Sequence, residues 1–237
     1  MGTPPIKTAC MIVAVSLLLQ SCLFQKRAEF DSAVAESQEY FNKADFQRSI
    51  DVCRALYNKY PEDKTVLGNY IETIQKIYKA ADRDFSRGDL MRAEKTYELL
   101  LANSEHFRPF AKHLSFTSVT LTGKIVKSVE ETKEAADKEF RAGDYFRAGR
   151  KYRTLLDNYA SFSAVAPSLA FDKQTVDGSL RDCSRHLHQK GLDLYRKGNL
   201  AEALSTWKSI LVFDPENETV RKAADTTTIQ MRNLQKE

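Results

Sequence analysis

The chain has 237 residues, a formal net charge of +4, 29% charged and 42% hydrophobic side chains. That charge is too mild for a nucleic-acid surface, which needs a clustered basic face. Four Cys are too few for a stapled secreted scaffold, and 9 Gly with 6 Pro leave no low-complexity segment. Apolar residues mixed with charges of both signs suit amphipathic helices rather than strands or disorder. In chain order, the first element is a short segment with one cation, Lys7, followed by the mostly apolar stretch Ala9 to Leu19. A charged start, an apolar core and a small residue before a cut form a secretory signal. A spanning helix needs about 20 apolar residues, and Lys7 and Gln20 bracket a shorter run.

The end of this segment, Leu19-Gln20-Ser21-Cys22, resembles a bacterial lipobox, Leu-x-small-Cys, with Gln20 a less common residue at its place. The resemblance implies that the Cys22 sulfur receives a diacylglyceryl group, that the peptide is cut before Cys22, and that the new amino end is acylated. Cys10 is no rival, because Lys7 sits three residues before it. Leu23 rather than Asp follows Cys22, which by enteric-type sorting favours the outer membrane. The expected organisation is a signal peptide over 1–21, a lipidated tether over 22–29, and one helical-repeat domain over 30–237 with a capping helix from Val220 to Leu234.

The rest of the chain repeats itself. Ala80-Ala81-Asp82-Arg83-Asp84-Phe85-Ser86-Arg87-Gly88-Asp89 matches Ala135 to Asp144 at an offset of 55, and the match continues through Arg92/Arg147, Ala93/Ala148, Tyr97/Tyr152 and Leu100/Leu155. The same offset carries Gly143 to Gly198, Ala148 to Ala203 and Tyr152 to Trp207. A weaker first copy has Phe41, Ala44, Ser49, Cys53 and Leu56. In the last three units a Gly suited to the left-handed conformation ends one helix, and an Asp or Asn can cap the next. Asn199 with Glu202 is the best capping-box pattern. Small Ala93, Ala148 and Ala203 permit close helix approach, and Tyr97, Tyr152 and Trp207 fill the space one turn later. The predicted fold is all-α, a solenoid of about four helix-turn-helix hairpins.

These residues resemble a tetratricopeptide repeat, most clearly in Gly191, Gly198, Leu200, Ala203, Trp207 and Pro215 of the fourth unit. The resemblance implies stacked helical hairpins and is silent on function. Its period is about 34 residues, whereas the turn residues Ala44, Gly88, Gly143 and Gly198 are spaced by 44, 55 and 55. Apolar seams such as Leu67, Ile71, Ile74, Tyr78, Ala81 and Phe85 predict lengthened first helices of about 20–30 residues. Part of the surplus can instead be loop around Asn103–Arg108 and Asn158–Ala166. The aromatics before each turn, Phe41, Phe85, Phe140 and Tyr195, read as core residues, with an open peptide groove as the alternative.

Signals for chemistry are absent from this pattern. His186 and His188 are two apart and point to different helix faces. Cys183 with His186 lacks further ligands at zinc spacing, and no phosphate loop or nucleophile elbow is present. No catalytic, cofactor-binding or metal residue is assigned, and an enzyme is not expected. Cys53 and Cys183 are expected as free thiols. The run Arg147, Arg150, Lys151 and Arg153 reads as a solvated face. Met91 and Phe146 sit where the first and fourth units have Gln47 and Ala201. With the adjoining Arg92 and Arg147 they are the candidate partner surface, unless neighbouring lengthened helices cover them. The expected role is a membrane-anchored envelope scaffold or adaptor facing the periplasm. It would bind another envelope protein and the membrane through its N-terminal lipid, with neither nucleic acid nor a small-molecule substrate. The alternative is an oligomerising structural subunit of a secretion, pilus or polysaccharide-export machine.

Overall fold

The computed structural model describes residues 25–235, and all regular structure among them is helical. Cys22 and the segment read as a signal peptide lie outside the described residues. Helix α1 covers residues 25–42 and so takes up most of the segment read as a tether. It is followed by α2 (Phe46–Lys59), α3 (Lys64–Ser86), α4 (Leu90–Ala102) and a short α5 (Ser104–Phe107) that runs into a 3-10 segment, Arg108–His113. Next come α6 (Ser118–Arg141), α7 (Tyr145–Asp157), two 3-10 turns (Ser161–Ala164 and Ala166–Ser168), α8 (Lys173–Arg196), α9 (Leu200–Phe213) and α10 (Glu218–Leu234).

Four hairpins, α1–α2, α3–α4, α6–α7 and α8–α9, turn in the same way. The turn residues Ala44, Gly88, Gly143 and Gly198 have φ of 58°, 80°, 81° and 80°. In each, the amide of the following residue reaches back five places: Asp45 to Tyr40 O, Asp89 to Asp84 O, Asp144 to Glu139 O and Asn199 to Leu194 O, at 2.9–3.0 Å. This is the closure that satisfies the last carbonyls of a helix when one residue turns left-handed. Asp45 and Asp144 then cap the second helices, accepting from the amides of Arg48 and Arg147 at 3.3 and 3.1 Å. Asn199 makes no such side-chain bond, so the best-looking capping box in the sequence is not formed.

The first helices are lengthened as predicted: α3, α6 and α8 have 23, 24 and 24 residues, about 35 Å each at 1.5 Å per residue. They hold only part of the surplus. The rest forms two inserts, residues 103–117 and 158–172, which themselves follow the 55-residue offset. Phe107 and Phe162 match, as do Phe110 and Val165, and all four are buried. The connections after α2 and α9 have no insert and close within a single turn, with Asp63 N donating to Tyr60 O and Asn217 N to Asp214 O. The first turn-to-turn interval contains no insert and the next two each contain one. This is why the spacing is 44, 55 and 55.

The described residues divide into two compact units, one comprising residues 25–80 with Asn103–Thr117, the other Ala81–Ala102 with residues 118–235. In the first, Ile50, Val66, Tyr70, Ile74 and Ile77 form a core that the insert completes. The Tyr70 ring centroid lies 5.0 Å from that of Phe110, and Tyr78 stacks on Phe116 at 4.6 Å. Burial of this kind supplies most of the stability of an amphipathic helix. In the second unit each helix packs on its successor, α4 on α6, then α7, α8, α9 and α10 in turn, while α7 also touches α9. This is the nearest-neighbour order of a helical solenoid. Ala93, Ala148 and Ala203 are fully buried at the helix approaches, with Tyr97, Tyr152 and Trp207 packed beside them. Cys53 and Cys183 are buried free thiols. Burial, helped by nearby Asp182, pushes the Cys183 thiol up to about 12.

Candidate partner surface

Met91 and Phe146 occupy the second position of α4 and α7, immediately after the capping turn. Both are half-buried, while Arg92 and Arg147 beside them are exposed. Arg92 pairs with Asp84 at 3.2 Å and Arg147 with Asp144 at 3.4 Å. Each site is thus an apolar side chain next to a guanidinium anchored at the hairpin turn.

The Phe146 ring lies 6.4 Å from that of Phe213 at the end of α9, and the Arg150 guanidinium sits 5.8 Å from its centroid. Phe146 therefore meets the end of another second helix. In the first unit the equivalent Gln47 receives a hydrogen bond from Asn103 Nδ2 at 3.0 Å. Asn103 and Asn158 are the 55-residue register counterparts of Phe213, so in the first and third hairpins this position meets matching points of the chain. The basic run beside Phe146 is largely paired. Lys151 meets Glu139 at 2.5 Å, and Arg153 donates to Phe213 O at 2.6 Å while approaching Asp157 and Asp214.

The four aromatics before the turns are half-buried rather than core. Phe41 packs on Phe46, with centroids 5.4 Å apart. Phe85 lies beneath the ammonium groups of Lys124 and Lys127 at 5.5 and 5.2 Å. Phe140 meets Tyr145 and His186. Tyr195 packs on Trp207 and its hydroxyl donates to Gln230 at 2.6 Å. In the second unit each of these rings thus joins its own hairpin to the next first helix or to α10.

Sequence reasoning missed Glu94. It lies three residues after Met91, on the same side of α4, and is fully buried. Neither carboxylate oxygen has a hydrogen-bond partner. Burial, reinforced by Glu98 and opposed by Lys95, raises its pKa from 4.5 to about 7. Its register counterparts are Ile50, Gly149 and Leu204, so the signal was a lone acid in an otherwise apolar column. Among the described residues no group of three or more His, Cys, Asp or Glu side chains is placed to hold a metal ion. His188 is half-buried and its pKa is lowered by burial.

No family model matches the chain, and no curated protein matches it. Among solved structures it is similar to a circular tandem repeat protein described as having a novel repeat topology and enhanced subunit contact surfaces. The identity is 11%, the match covers 84% of this chain and 50% of that one, and the TM-score is 0.22. The chain therefore spans half the length of that protein. The helical-repeat fold rests on the recurring turns and helix packing described above.

Proposed function

We propose that this protein is an envelope lipoprotein, anchored through Cys22, whose tetratricopeptide-like hairpins serve as a protein–protein interaction scaffold facing the periplasm, with the outer membrane as its site. The observation that carries the adaptor reading is the recurrence of one arrangement on consecutive hairpins: half-buried Met91 beside exposed Arg92, and half-buried Phe146 beside exposed Arg147. Apolar anchors bordered by guanidinium groups favour protein hot spots. The anchor reading rests on the lipobox-like Leu19-Gln20-Ser21-Cys22. Among the described residues no helix is long and apolar enough to cross a membrane.

The test is the pair Met91→Gln and Phe146→Gln, which installs the polar residue of the first hairpin at both sites. Near-normal helicity with loss of the partner crosslinked in intact cells is the expected result. Retained crosslinking rejects this surface. Fractionation of Cys22→Ala tests the anchor separately, because two or three acyl chains exceed what stable membrane attachment needs. A variant that fractionates and migrates like wild type rejects the lipoprotein reading. A discrete oligomer after detergent extraction, unaffected by the double change, would favour the structural-subunit alternative.

A further inference from the structure

Helix α1 starts at Gln25, so only Leu23 and Phe24 separate it from Cys22. Three residue steps span at most about 11 Å. A lipid on Cys22 therefore holds the start of α1 within that distance of the membrane surface. This inference rests on the lipoprotein reading.

The start of α1 is tied to the end of α2 and the start of α3. Lys26 pairs with Asp63, which also accepts from the amides of Thr65 and Val66 at 2.8 and 3.1 Å and so caps α3. Glu29 accepts from Lys59 Nζ at 2.6 Å and from the Tyr60 hydroxyl at 2.8 Å. The Lys26 and Lys59 ammonium groups lie 5.0 and 5.4 Å from the Tyr60 ring centroid. Charge-assisted bonds of this kind fix geometry. Beside them lies an open groove of about 360 Å³, lined by half-buried Phe30 and buried Val66 and by exposed Arg27 and Asp31. Arg27 and Asp31 stand four apart on α1, at about 5–6 Å between Cβ atoms, in the weaker order for a helical ion pair. Neither has an ion pair or hydrogen bond among the described residues. The groove thus offers a free cation and a free anion beside an apolar wall.

We propose that this groove binds the zwitterionic headgroup of a phosphoethanolamine lipid in the membrane that anchors the chain, so that the first hairpin stands end-on against the bilayer. The Arg27 guanidinium donates to the phosphate, since its planar fork matches phosphate oxygens. The Asp31 carboxylate accepts from the ammonium. A choline headgroup has no N–H for Asp31, and its recognition uses a cage of aromatic rings, whereas Phe30 is the one ring lining the groove. A purely anionic headgroup leaves Asp31 unpaired beside a phosphate. Charge also selects the orientation. At the end of the hairpin, Lys26 with Asp63, Lys59 with Glu29, Arg27 with Asp31 and Lys64 with Glu62 cancel. The exposed side of α1 instead carries Glu36 and Glu39, countered only by Lys43, which pairs with Glu39. Laying that side on the bilayer would press acids against lipid phosphates.

The test uses the mature lipidated protein in phosphatidylcholine vesicles, with and without phosphatidylethanolamine, and a headgroup-nitroxide lipid as fluorescence quencher. A fluorophore is placed on Glu62→Cys, in the turn beside the groove, or on Lys43→Cys, at the other end of α1. Helix α1 has 18 residues, about 27 Å at 1.5 Å per residue. Cys53 and Cys183 are buried and do not compete for the label. Quenching is expected at Glu62→Cys and not at Lys43→Cys, and more strongly with phosphatidylethanolamine present. Arg27→Gln and Asp31→Asn, both at exposed positions, should each lose the dependence on phosphatidylethanolamine with unchanged helicity. Equal quenching at the two sites, or no dependence on phosphatidylethanolamine in the wild-type background, overturns the proposal while leaving the anchor intact. Mass spectrometry of the same preparation separates the two readings, because a Cys22 without acyl chains rejects both.

Discussion

The first and third hairpins share a backbone plan but differ inside. Ala44 and Gly143 turn with φ of 58° and 81°, and Asp45 and Asp144 cap the following helices at nearly the same distance. At the approach of the two helices, Ser37 and Ser49 in one stand where Ala136 and Ala148 stand in the other. The third hairpin then drives Tyr152 between its helices and ties the hydroxyl to Asp137, whereas the first places Cys53 there, within a small hydroxyl network. The lesson is that turn, cap and close-approach positions define the hairpin, while the filler beside them is free to change. A second contrast runs along α4 and α7. Glu94 is buried at the position where Gly149 makes room for the Phe213 ring, whose atoms would lie 2.8–2.9 Å from an added Cβ.

The largest expected effect tests how much the filler matters. Trp207 is 2% exposed, so Trp207→Ala should cost about 3–5 kcal/mol, read by denaturant unfolding. Cys53→Ala at the matching position should cost about 1 kcal/mol, mostly from the lost polar contacts to the sulfur. Similar losses for the two variants would mean that both hairpins depend equally on this site.

The Glu94 contrast predicts a pH dependence. Its pKa is raised from 4.5 to about 7 in the folded chain. Below the unfolded value both states hold the proton, and burial of the neutral acid carries no linkage penalty. As pH rises from about 4.5 to 7 the unfolded chain ionises first, so stability falls, and above 7 the full loss of about 3 kcal/mol is present. Glu94→Leu, the residue of the fourth hairpin, should therefore stabilise the protein by about 3 kcal/mol at pH 8 through this linkage. Most of that gain should vanish at pH 4. A gain of equal size at both pH values would assign the effect to packing instead of ionisation.

Gly149→Ala probes the other side of the same contrast. The new methyl group meets the Phe213 ring, and overpacking of this kind costs about 1–3 kcal/mol. Phe146, which packs against the same ring, should then become more accessible, visible as increased proteolysis near the α7 turn. The smallest effect concerns the turns. Gly143→Ala should cost about 1 kcal/mol, since a Cβ is disfavoured at positive φ. Ala44→Gly relieves that strain but adds freedom to the unfolded chain, so its net effect should stay within about 0.5 kcal/mol. Equal and opposite shifts for the two would mean that unfolded-state entropy contributes little here.

Four hairpins, their turn residues, the lengthened first helices and the capping helix α10 were all legible in the sequence. Each depends on local rules: a left-handed turn residue, a cap, an apolar seam of helical period. The inserts were half legible. Their helical turns lack a long period, although Phe107 with Phe162 and Phe110 with Val165 repeat at the same offset. Which ring Phe146 meets, where Glu94 lies and which groups close around Cys53 were decided by tertiary packing. These properties depend on which residues from distant parts of the chain meet across helices, such as Phe213 against Gly149 or Asn103 against Gln47. A helical pattern states which face is buried. Only the packed neighbours determine whether that face meets a ring, a hydroxyl or an unpaired carboxyl group.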